Sequence, residues 1–349
     1  MTSILLLALG PVIAIFFFFW AKDRYEREPL ARLLLTAGVG AAAAIPVVIV
    51  ESIWGHTVMD LTFLSNREMV FMAYVEVGFT EEFFKMLAFL VTAYWSKYMN
   101  EEYDGIMYAV AAALGFAAIE NILYVFGGGI GTGILRAITA VPAHAMNGLF
   151  IGYFAGKAKF AKTSGFVKFL IILVGLIIAV LLHGTYDLIA FWSSARQNLG
   201  FLLLFPLLAV MVTVSLILIR DARRRSPYRP AKDSLGRYTG YTVSGTPLSP
   251  KIARKLKIDA SLMNRVYSEY ESSAQVVDKS SSDGGKQEKA EVPNFLDDYL
   301  GEKQEKDIPT ATYEPDEIPT EEKEPESWPG GRDDPSQDLR KFYNRRDKN

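Results

Sequence analysis

The stretch Thr80-Glu81-Glu82-Phe83-Phe84-Lys85 places two adjacent carboxylates and an ammonium inside the apolar run from Met69 to Trp95. An ionised side chain at bilayer depth costs roughly 2.5–3.5 kcal/mol, so such charges usually face a bundle interior or a wet cavity. Lys85 follows Glu81 by four residues and Glu82 by three, on neighbouring rows of one helix. Because adjacent helical residues diverge by about 100°, we expect Glu81 to pair with Lys85 and Glu82 to be the freer acid. A structural ion pair is the alternative reading of this motif.

Outward from this stretch, the chain up to Ile219 consists of apolar runs near the ~20 residues that a helix needs to cross a bilayer. They are Ser3–Trp20, Pro29–Val50, Met69–Trp95, Gly105–Phe126, Ile134–Ala155, Phe166–Phe191 and Leu199–Ile219. We predict an all-α, polytopic transmembrane helix bundle with seven spans, or eight if the third run includes a separate short helix. The first run has no preceding Lys or Arg, so we expect a retained span and not a cleaved signal.

After the last run the composition changes, which divides the 349 residues into a transmembrane domain, 1–220, and a polar tail, 221–349. The tail has no sustained apolar period, so we predict that it is largely disordered and packs no core. Two short pieces, Ile252–Tyr270 and Val292–Leu300, are candidates for helices or docking motifs. The basic segment Arg220–Arg229 suits contact with anionic cytoplasmic lipid.

The distribution of positive charge predicts the orientation. Fourteen Lys and Arg residues lie in or beside the first, third and fifth loops or open the tail, whereas the even loops, which would be outside, hold three: Arg67, Arg136 and Arg196. The positive-inside rule then places the N-terminus outside and the C-terminus in the cytoplasm. We expect an integral protein of the bacterial plasma membrane with no nucleic-acid partner. The absence of cysteine excludes disulfides, cysteine-ligated metals and cysteine nucleophiles.

Further polar groups lie inside the later spans. They are Glu120, Asn121, Tyr124, His144, Asn147, His183, Tyr186 and Asp187. At a rise of ~1.5 Å per residue, Glu81, Glu82, Glu120 and His183 are expected slightly outward of the midplane and His144 near it. We interpret this shared level as one polar site reached by water from the outer side. The alternative for each histidine is a hydrogen bond between helices.

Spacing within the helices suggests local pairs. Asp187 lies four residues after His183, close enough to hold one ring nitrogen and leave the other free as a base or metal ligand. Tyr124 likewise follows Glu120 by four residues. Alanine and glycine are frequent around these positions in the fourth and fifth spans, which permits close helix packing.

An ordered set of motifs on successive segments resembles the PrsW family, part of the larger group that includes the type II CAAX prenyl endopeptidases. The motifs are Asp23-Arg24-Tyr25-Glu26-Arg27-Glu28-Pro29, Glu81-Glu82-x-x-Lys85, Phe116-x-x-x-Glu120-Asn121-x-x-Tyr124, His144 with Asn147-Gly148 and Gly152-Tyr153, and His183-Gly184-x-Tyr186-Asp187. The resemblance covers about Trp20 to Phe191. It implies an intramembrane endopeptidase that in some bacteria makes the first cut in an anti-sigma factor.

The resemblance also implies which residues matter. Glu81, Glu82 and His183 are the implied essential positions, completed by Glu120 and His144. We expect supporting roles for Lys85, Asn121, Tyr124 and Asp187.

Two schemes of peptide hydrolysis fit these residues. In the first, which we favour, Glu82 or Glu81 deprotonates a water while His183, oriented by Asp187, binds that water or donates to the oxyanion. In the second, a divalent metal such as zinc is held by ligands drawn from a set of five. These candidates are Glu81, Glu82, Glu120, His144 and His183.

Two other classes of protein remain as alternatives. A proton-coupled transporter also uses chains of buried acids and histidines, although the sequence has none of the internal symmetry usual in transporters. A non-enzymatic scaffold would use the polar cluster for assembly and the tail as a binding arm.

Overall fold

The structure is a computed structural model that describes residues 2–23, 25–54 and 61–280, with side chains from Leu5 to Ser272 within those ranges. Its helices in chain order are α1 (Thr2–Lys22), α2 (Leu30–Ala42), α3 (Ala44–Trp54), α4 (Asn66–Phe71), α5 (Thr80–Phe89), α6 (Glu102–Ile138), α7 (Ala140–Phe160), α8 (Gly165–Ala195) and α9 (Leu204–Arg225). Short 3-10 helices lie at Leu61–Phe63 and Leu199–Leu203.

The all-α, polytopic membrane fold is confirmed. Among the described residues, five helical stretches are long and apolar enough to cross a membrane: Leu5–Lys22, Leu30–Trp54, Glu102–Phe160, Gly165–Ala195 and Leu199–Arg225. One of them, Glu102–Phe160, contains both α6 and α7, while the helical segment from Asn66 to Tyr94 is not among the five. The count of seven or eight spans therefore stays a prediction.

The segment Asn66–Tyr94 carries the acid pair on an irregular helix. A capping box starts it, because the Ser65 hydroxyl accepts from the backbone N–H of Glu68 while the Glu68 carboxylate accepts from that of Ser65. Wider π-helical turns precede α5 at Met72–Phe79 and follow it at Leu90–Tyr94. Such π turns are frequent at functional sites, since they change the direction of the side chains that follow.

The predicted boundary between the fourth and fifth runs is wrong in detail. The chain remains helical past Phe126 as far as Ile138, interrupted by Gly129 at φ 75° and ψ −167°. Only glycine adopts that backbone region readily. Residues 120 and 136 would be about 24 Å apart along a straight helix, yet their side chains form an ion pair. The helix therefore folds back at Gly129, and Arg136, expected in an outer loop, returns to the site.

Small residues set the spacing of the central helices, as predicted. A Cβ added to Gly40 of α2 would overlap the Ala112 carbonyl of α6, and one added to Gly115 would overlap the Ala37 carbonyl. Gly105 of α6 and Gly152 of α7 oppose each other in the same way. The buried core is centred on α6 and α7, so the polar residues of these helices are held by close backbone packing.

The described part of the tail is more ordered than predicted. β1 (Pro230–Lys232) pairs antiparallel with β2 (Tyr238–Thr242), and α10 (Pro250–Lys255) and α11 (Ala260–Ser280) follow. These elements bury a small apolar cluster of Leu248, Ala253, Met263 and Val266, which corrects the expectation that the tail packs no core. The apolar residues of this cluster are irregularly spaced because they come from different elements, a hairpin and two helices. A search for a regular helical or strand period in the sequence therefore does not detect them. The piece Val292–Leu300 lies outside the described residues.

Candidate active site

Lys85 lies at the centre of a buried polar network. Its Nζ donates to Glu81 Oε2 at 2.8 Å and to Glu82 Oε1 at 2.9 Å, and it lies 2.9 Å from His144 Nδ1. The expectation that one acid pairs with Lys85 while the other stays free is wrong, because an ammonium on a long side chain reaches both rows of the helix. Glu81, and not Glu82, borders the cavity described below, and Glu82 is 0% exposed.

His183 of α8 joins this network through both ring nitrogens. Nδ1 lies 2.7 Å from Glu82 Oε1, whereas Nε2 lies 3.3 Å from Asp187 Oδ2 and 3.7 Å from Glu81 Oε2. The predicted approach of Asp187 to His183 is present. The second nitrogen is not free as expected, because Glu82 arrives from a different helix and could not be recognised from spacing within α8.

His144 of α7 links Lys85 to Glu120 of α6. Its Nε2 lies 2.6 Å from Glu120 Oε2. Because the Lys85 ammonium can only donate, Nδ1 of His144 accepts, and Nε2 is then the protonated nitrogen of the neutral ring. The two histidine rings lie 5.3 Å apart edge to face. The structure thus brings together all five predicted site residues, Glu81, Glu82, Glu120, His144 and His183.

Asn121 and Tyr124 contact a residue that the sequence analysis missed. Arg136 Nη2 lies 3.1 Å from Glu120 Oε1, and Arg136 Nε donates to Asn121 Oδ1 at 2.8 Å. The guanidinium stacks on the Tyr124 ring at 4.1 Å. The pairing expected between Glu120 and Tyr124 is thus replaced by contacts of both residues with Arg136. A lone arginine between two apolar runs was the available signal, but we interpreted it as a loop charge.

A cavity of about 660 Å³ opens onto this network. Glu81, Glu120, His144, His183 and Asp187 line it together with apolar side chains from several helices. Glu51 of α3 also lines it, and the sequence analysis missed this residue because it lies at the end of its apolar run. Glu76, inside the third run, is also buried, at 0% exposure, but it is not among the residues that line the cavity. The site therefore combines an apolar enclosure with convergent acid and base groups.

A second group of buried acids lies at the start of α6, away from the cavity. Glu28 accepts from Tyr108, while the Asp23 carboxylate accepts from the Glu28 backbone N–H at 3.1 Å. Asp104 accepts from the backbone N–H groups of Asn100 and Glu101, both at 2.7 Å. Burial raises the pKa values of Asp23, Glu28 and Glu101 to about 7. Asp23, Glu28 and Glu101 therefore change their charge near neutral pH.

The residues around the cavity fit a divalent metal ion. Glu81, His144 and His183 each offer one ligand atom, and these atoms lie within 4.8 Å of one another. Two imidazoles and a carboxylate are the donor set of open zinc sites. Glu82 Oε2 is buried without a hydrogen-bond partner among the described residues. The Lys85 ammonium, between Glu81 and His144, would have to move if His144 Nδ1 were a ligand.

Comparison with known proteins identifies relatives. The family model described as PrsW family intramembrane metalloprotease matches residues 28–216. Protease PrsW of Bacillus subtilis (strain 168) is 32% identical over 54% of this chain and 83% of its own length. Protease PrsW of Shouchella clausii (strain KSM-K16) is 30% identical over 65% of this chain and 99% of its own length. No solved structure gives a significant match.

The family match covers more than half of the chain, and it coincides with the helices that carry the acid and histidine network. The Shouchella clausii relative is aligned over nearly its entire length. The chain therefore belongs to the PrsW family of intramembrane metalloproteases.

Proposed function

We propose that this intramembrane protease cleaves single-span membrane proteins at a peptide bond near the outer side of the membrane. The observation that carries the proposal is the cavity, whose apolar walls lead to Glu81, His144 and His183. Apolar walls suit an unwound segment of a membrane helix, and the polar groups suit hydrolysis of its peptide bond. The family resemblance supports an anti-sigma factor as the substrate.

Each polar residue has a separate task in this proposal. In a site without a metal, Glu81, which borders the cavity, contacts the attacking water and accepts its proton. Glu82 accepts from His183 Nδ1 at 2.7 Å, which fixes the ring so that Nε2 is directed toward Glu81 and Asp187. His183 then binds the water or donates to the oxyanion. Lys85 neutralises the adjacent acids and holds His144 in one tautomer.

A bound metal is consistent with the same residues. Glu81, His144 and His183 would then be ligands of the metal in place of the tasks given above, and we propose zinc because these three donors are typical zinc ligands. When bound, zinc acts as a Lewis acid that activates water and polarises the carbonyl group. Glu82 would then orient His183, and Glu120 would orient His144, each by contacting one ring nitrogen. Carboxylates commonly orient metal-bound imidazoles in this way.

Cleavage of a defined substrate tests the proposal. The purified protein is incubated in liposomes with a single-span substrate, the products are analysed by mass spectrometry, and metal content is measured in the same preparation. We expect one defined cut near the outer end of the substrate helix, zinc in stoichiometric amount, and loss of cleavage in Glu81→Gln. Uncut substrate with proton flux into the liposomes would instead indicate a transporter, and neither activity would indicate a scaffold.

The orientation is part of this proposal. With the N-terminus outside and the tail in the cytoplasm, reporters fused after Gln197 and after Ser280 should give opposite signals. Matching signals would contradict both the orientation and cleavage at the outer side. We propose the plasma membrane as the location.

We also propose that anionic lipid contacts Arg220–Arg229. Arg225 is already paired with Asp221 at 2.6 Å and with Glu102 at 2.7 Å, whereas Arg220, Arg224 and Arg229 are exposed. Replacing Arg224 and Arg229 by Gln should reduce the retention of phosphatidylglycerol in native mass spectrometry. Unchanged retention would contradict the lipid contact.

A further inference from the structure

Arg136 makes a two-point contact that fixes Glu120. Nε donates to Asn121 Oδ1 at 2.8 Å, while Nη2 lies 3.1 Å from Glu120 Oε1. These two groups are neighbours on α6, so the planar guanidinium lies across both. A lysine has one ammonium group and no fork, so it cannot reproduce both contacts in the same geometry.

The surroundings of Arg136 hold it in place from two further sides. The guanidinium lies 4.1 Å from the Tyr124 ring centroid. Asn121 donates in turn to the Ala8 carbonyl of α1 at 2.6 Å, so the acceptor of Arg136 is tied to a neighbouring helix. The Arg136 side chain is only 12% exposed. The position of its charge is therefore set by protein contacts.

Glu120 in turn holds His144. Its second oxygen, Oε2, lies 2.6 Å from His144 Nε2. Within the network that runs from Arg136 to Asp187, Lys85 and Arg136 carry the permanent positive charges, and Lys85 already pairs with Glu81 and Glu82. Removing Arg136 would leave a buried carboxylate without its cation, which is strongly unfavourable. Glu120 would then be free to leave its position, and His144 would lose its contact with the carboxylate.

We propose that Arg136 is a positioning residue of the protease, which holds the Glu120 side chain in place so that Glu120 fixes the ring orientation of His144. The inference rests on the proposed function of this site. The proposed role also gives a function to the fold-back of α6 at Gly129. Arg136 follows Glu120 by 16 residues, and the reversal of the helix brings the two side chains together. Arg136 also borders the cavity, and the role proposed for it is exercised through its contact with Glu120.

The test compares Arg136→Gln, Arg136→Lys, Glu120→Gln and the double variant Arg136→Gln/Glu120→Gln in liposomes. We expect Arg136→Gln to lower kcat about 10–100-fold, as is usual for partners that orient a ligand, while KM changes less. Arg136→Lys should recover part of the loss. The double variant should be no slower than Glu120→Gln alone, because both changes remove the same interaction. Arg196→Gln is the matched control, since Arg196 is exposed and pairs with Asn66 outside the network.

Two further measurements distinguish a role of Arg136 in positioning Glu120 from a role in folding alone. Added guanidinium should restore cleavage in Arg136→Ala, because the cavity is open to small ions, whereas sodium should not. Competition with a chelator should show about tenfold weaker Zn²⁺ binding in Arg136→Gln than in Arg196→Gln.

Three results would overturn the inference. Normal kcat in Arg136→Gln with inactive Glu120→Gln would remove Arg136 from the site and leave the proposed function intact. Loss of activity that neither lysine nor guanidinium restores, together with a lower Tm, would identify a purely structural residue. Full activity of Glu120→Gln would contradict the role of Glu120 in the proposed function itself.

Discussion

At the scale of single residues, the site depends on shared partners. Lys85 is bonded to two acids and lies beside His144, and Glu82 bonds both Lys85 and His183. A group with several partners cannot be removed without disturbing each of them. Substitutions in this network should therefore act as one unit and not as independent contributions.

This dependence predicts non-additive kinetics. Glu82→Gln and His183→Ala should each abolish cleavage, because Glu82 fixes His183 through a 2.7 Å contact. The double variant should be hardly slower than either single variant. Cleavage rates measured beside membrane insertion and expression check this, with Arg196→Gln as control. Losses that multiply in the double variant would show that the two residues act separately.

The acids at the start of α6 predict a pH dependence of stability. Burial raises the pKa values of Asp23, Glu28 and Glu101 to about 7, above their values of roughly 4 in an unfolded chain. The folded protein therefore binds more protons than the unfolded chain at intermediate pH. The contribution of these three groups to the free energy of unfolding is largest below about pH 4 and is lost as the pH rises through about 7. Tm in detergent should therefore fall from pH 5.5 to 8.

A variant separates this effect from the titration of other groups. Glu28→Gln should have a shallower fall of Tm with pH than the wild type, whereas Asp259→Asn, an exposed change in the tail, should follow the wild type. Equal slopes for Glu28→Gln and wild type would contradict the assignment.

At the scale of elements, the fold-back of α6 decides whether Arg136 reaches Glu120. Gly129 has φ 75°, so Gly129→Ala should strain the turn, lower Tm and reduce cleavage by displacing Arg136. Gly131→Ala is the matched control, because Gly131 lies two residues later with open space at its Cβ position. Alanine there should be neutral or stabilising by about 0.5–1 kcal/mol. Equal effects of the two substitutions would contradict a special role for Gly129.

The crossing of α2 and α6 supplies a second pair of variants. Gly40→Ala would place a methyl group against the Ala112 carbonyl, whereas Gly38→Ala on the same helix meets nothing within 4 Å. Overpacking typically costs about 1–3 kcal/mol, so Gly40→Ala should lower Tm and Gly38→Ala should not. Thermal melting in detergent measures the difference. A Gly40→Ala protein as stable as Gly38→Ala would show that the two helices pack less closely.

At the scale of the whole molecule, we propose that the membrane domain, residues 1–220, folds without the tail. Truncation after Ser280 should leave Tm and cleavage near wild type. Truncation after Arg225 removes Ser226, which hydrogen-bonds Glu101, and also the small apolar cluster of the tail. It should lower Tm and still permit insertion and cleavage. Failure to insert would show that the tail is required for folding.

The sequence alone determined the properties that depend on local spacing. Apolar run lengths predicted a membrane helix bundle because a helix must satisfy its own backbone and span a fixed thickness. Spacing of four residues predicted that Lys85 pairs with Glu81 and that Asp187 approaches His183, and both contacts are present. The additional pairing of Lys85 with Glu82 was not expected. Charged side chains inside apolar runs marked the site, because burial without partners is too unfavourable to persist.

Only the tertiary structure decided how these local pieces meet. That Glu81 borders the cavity while Glu82 is buried depends on the rotation of α5, set by the π turns on either side. That Arg136 contacts Glu120, and that Glu51 joins the cavity lining, depends on one glycine dihedral and on glycine contacts between helices. Contacts between helices depend on how each helix is rotated and bent, and a small change in either brings different side chains together. The spacing of residues along the chain stays the same, so it cannot reveal those contacts.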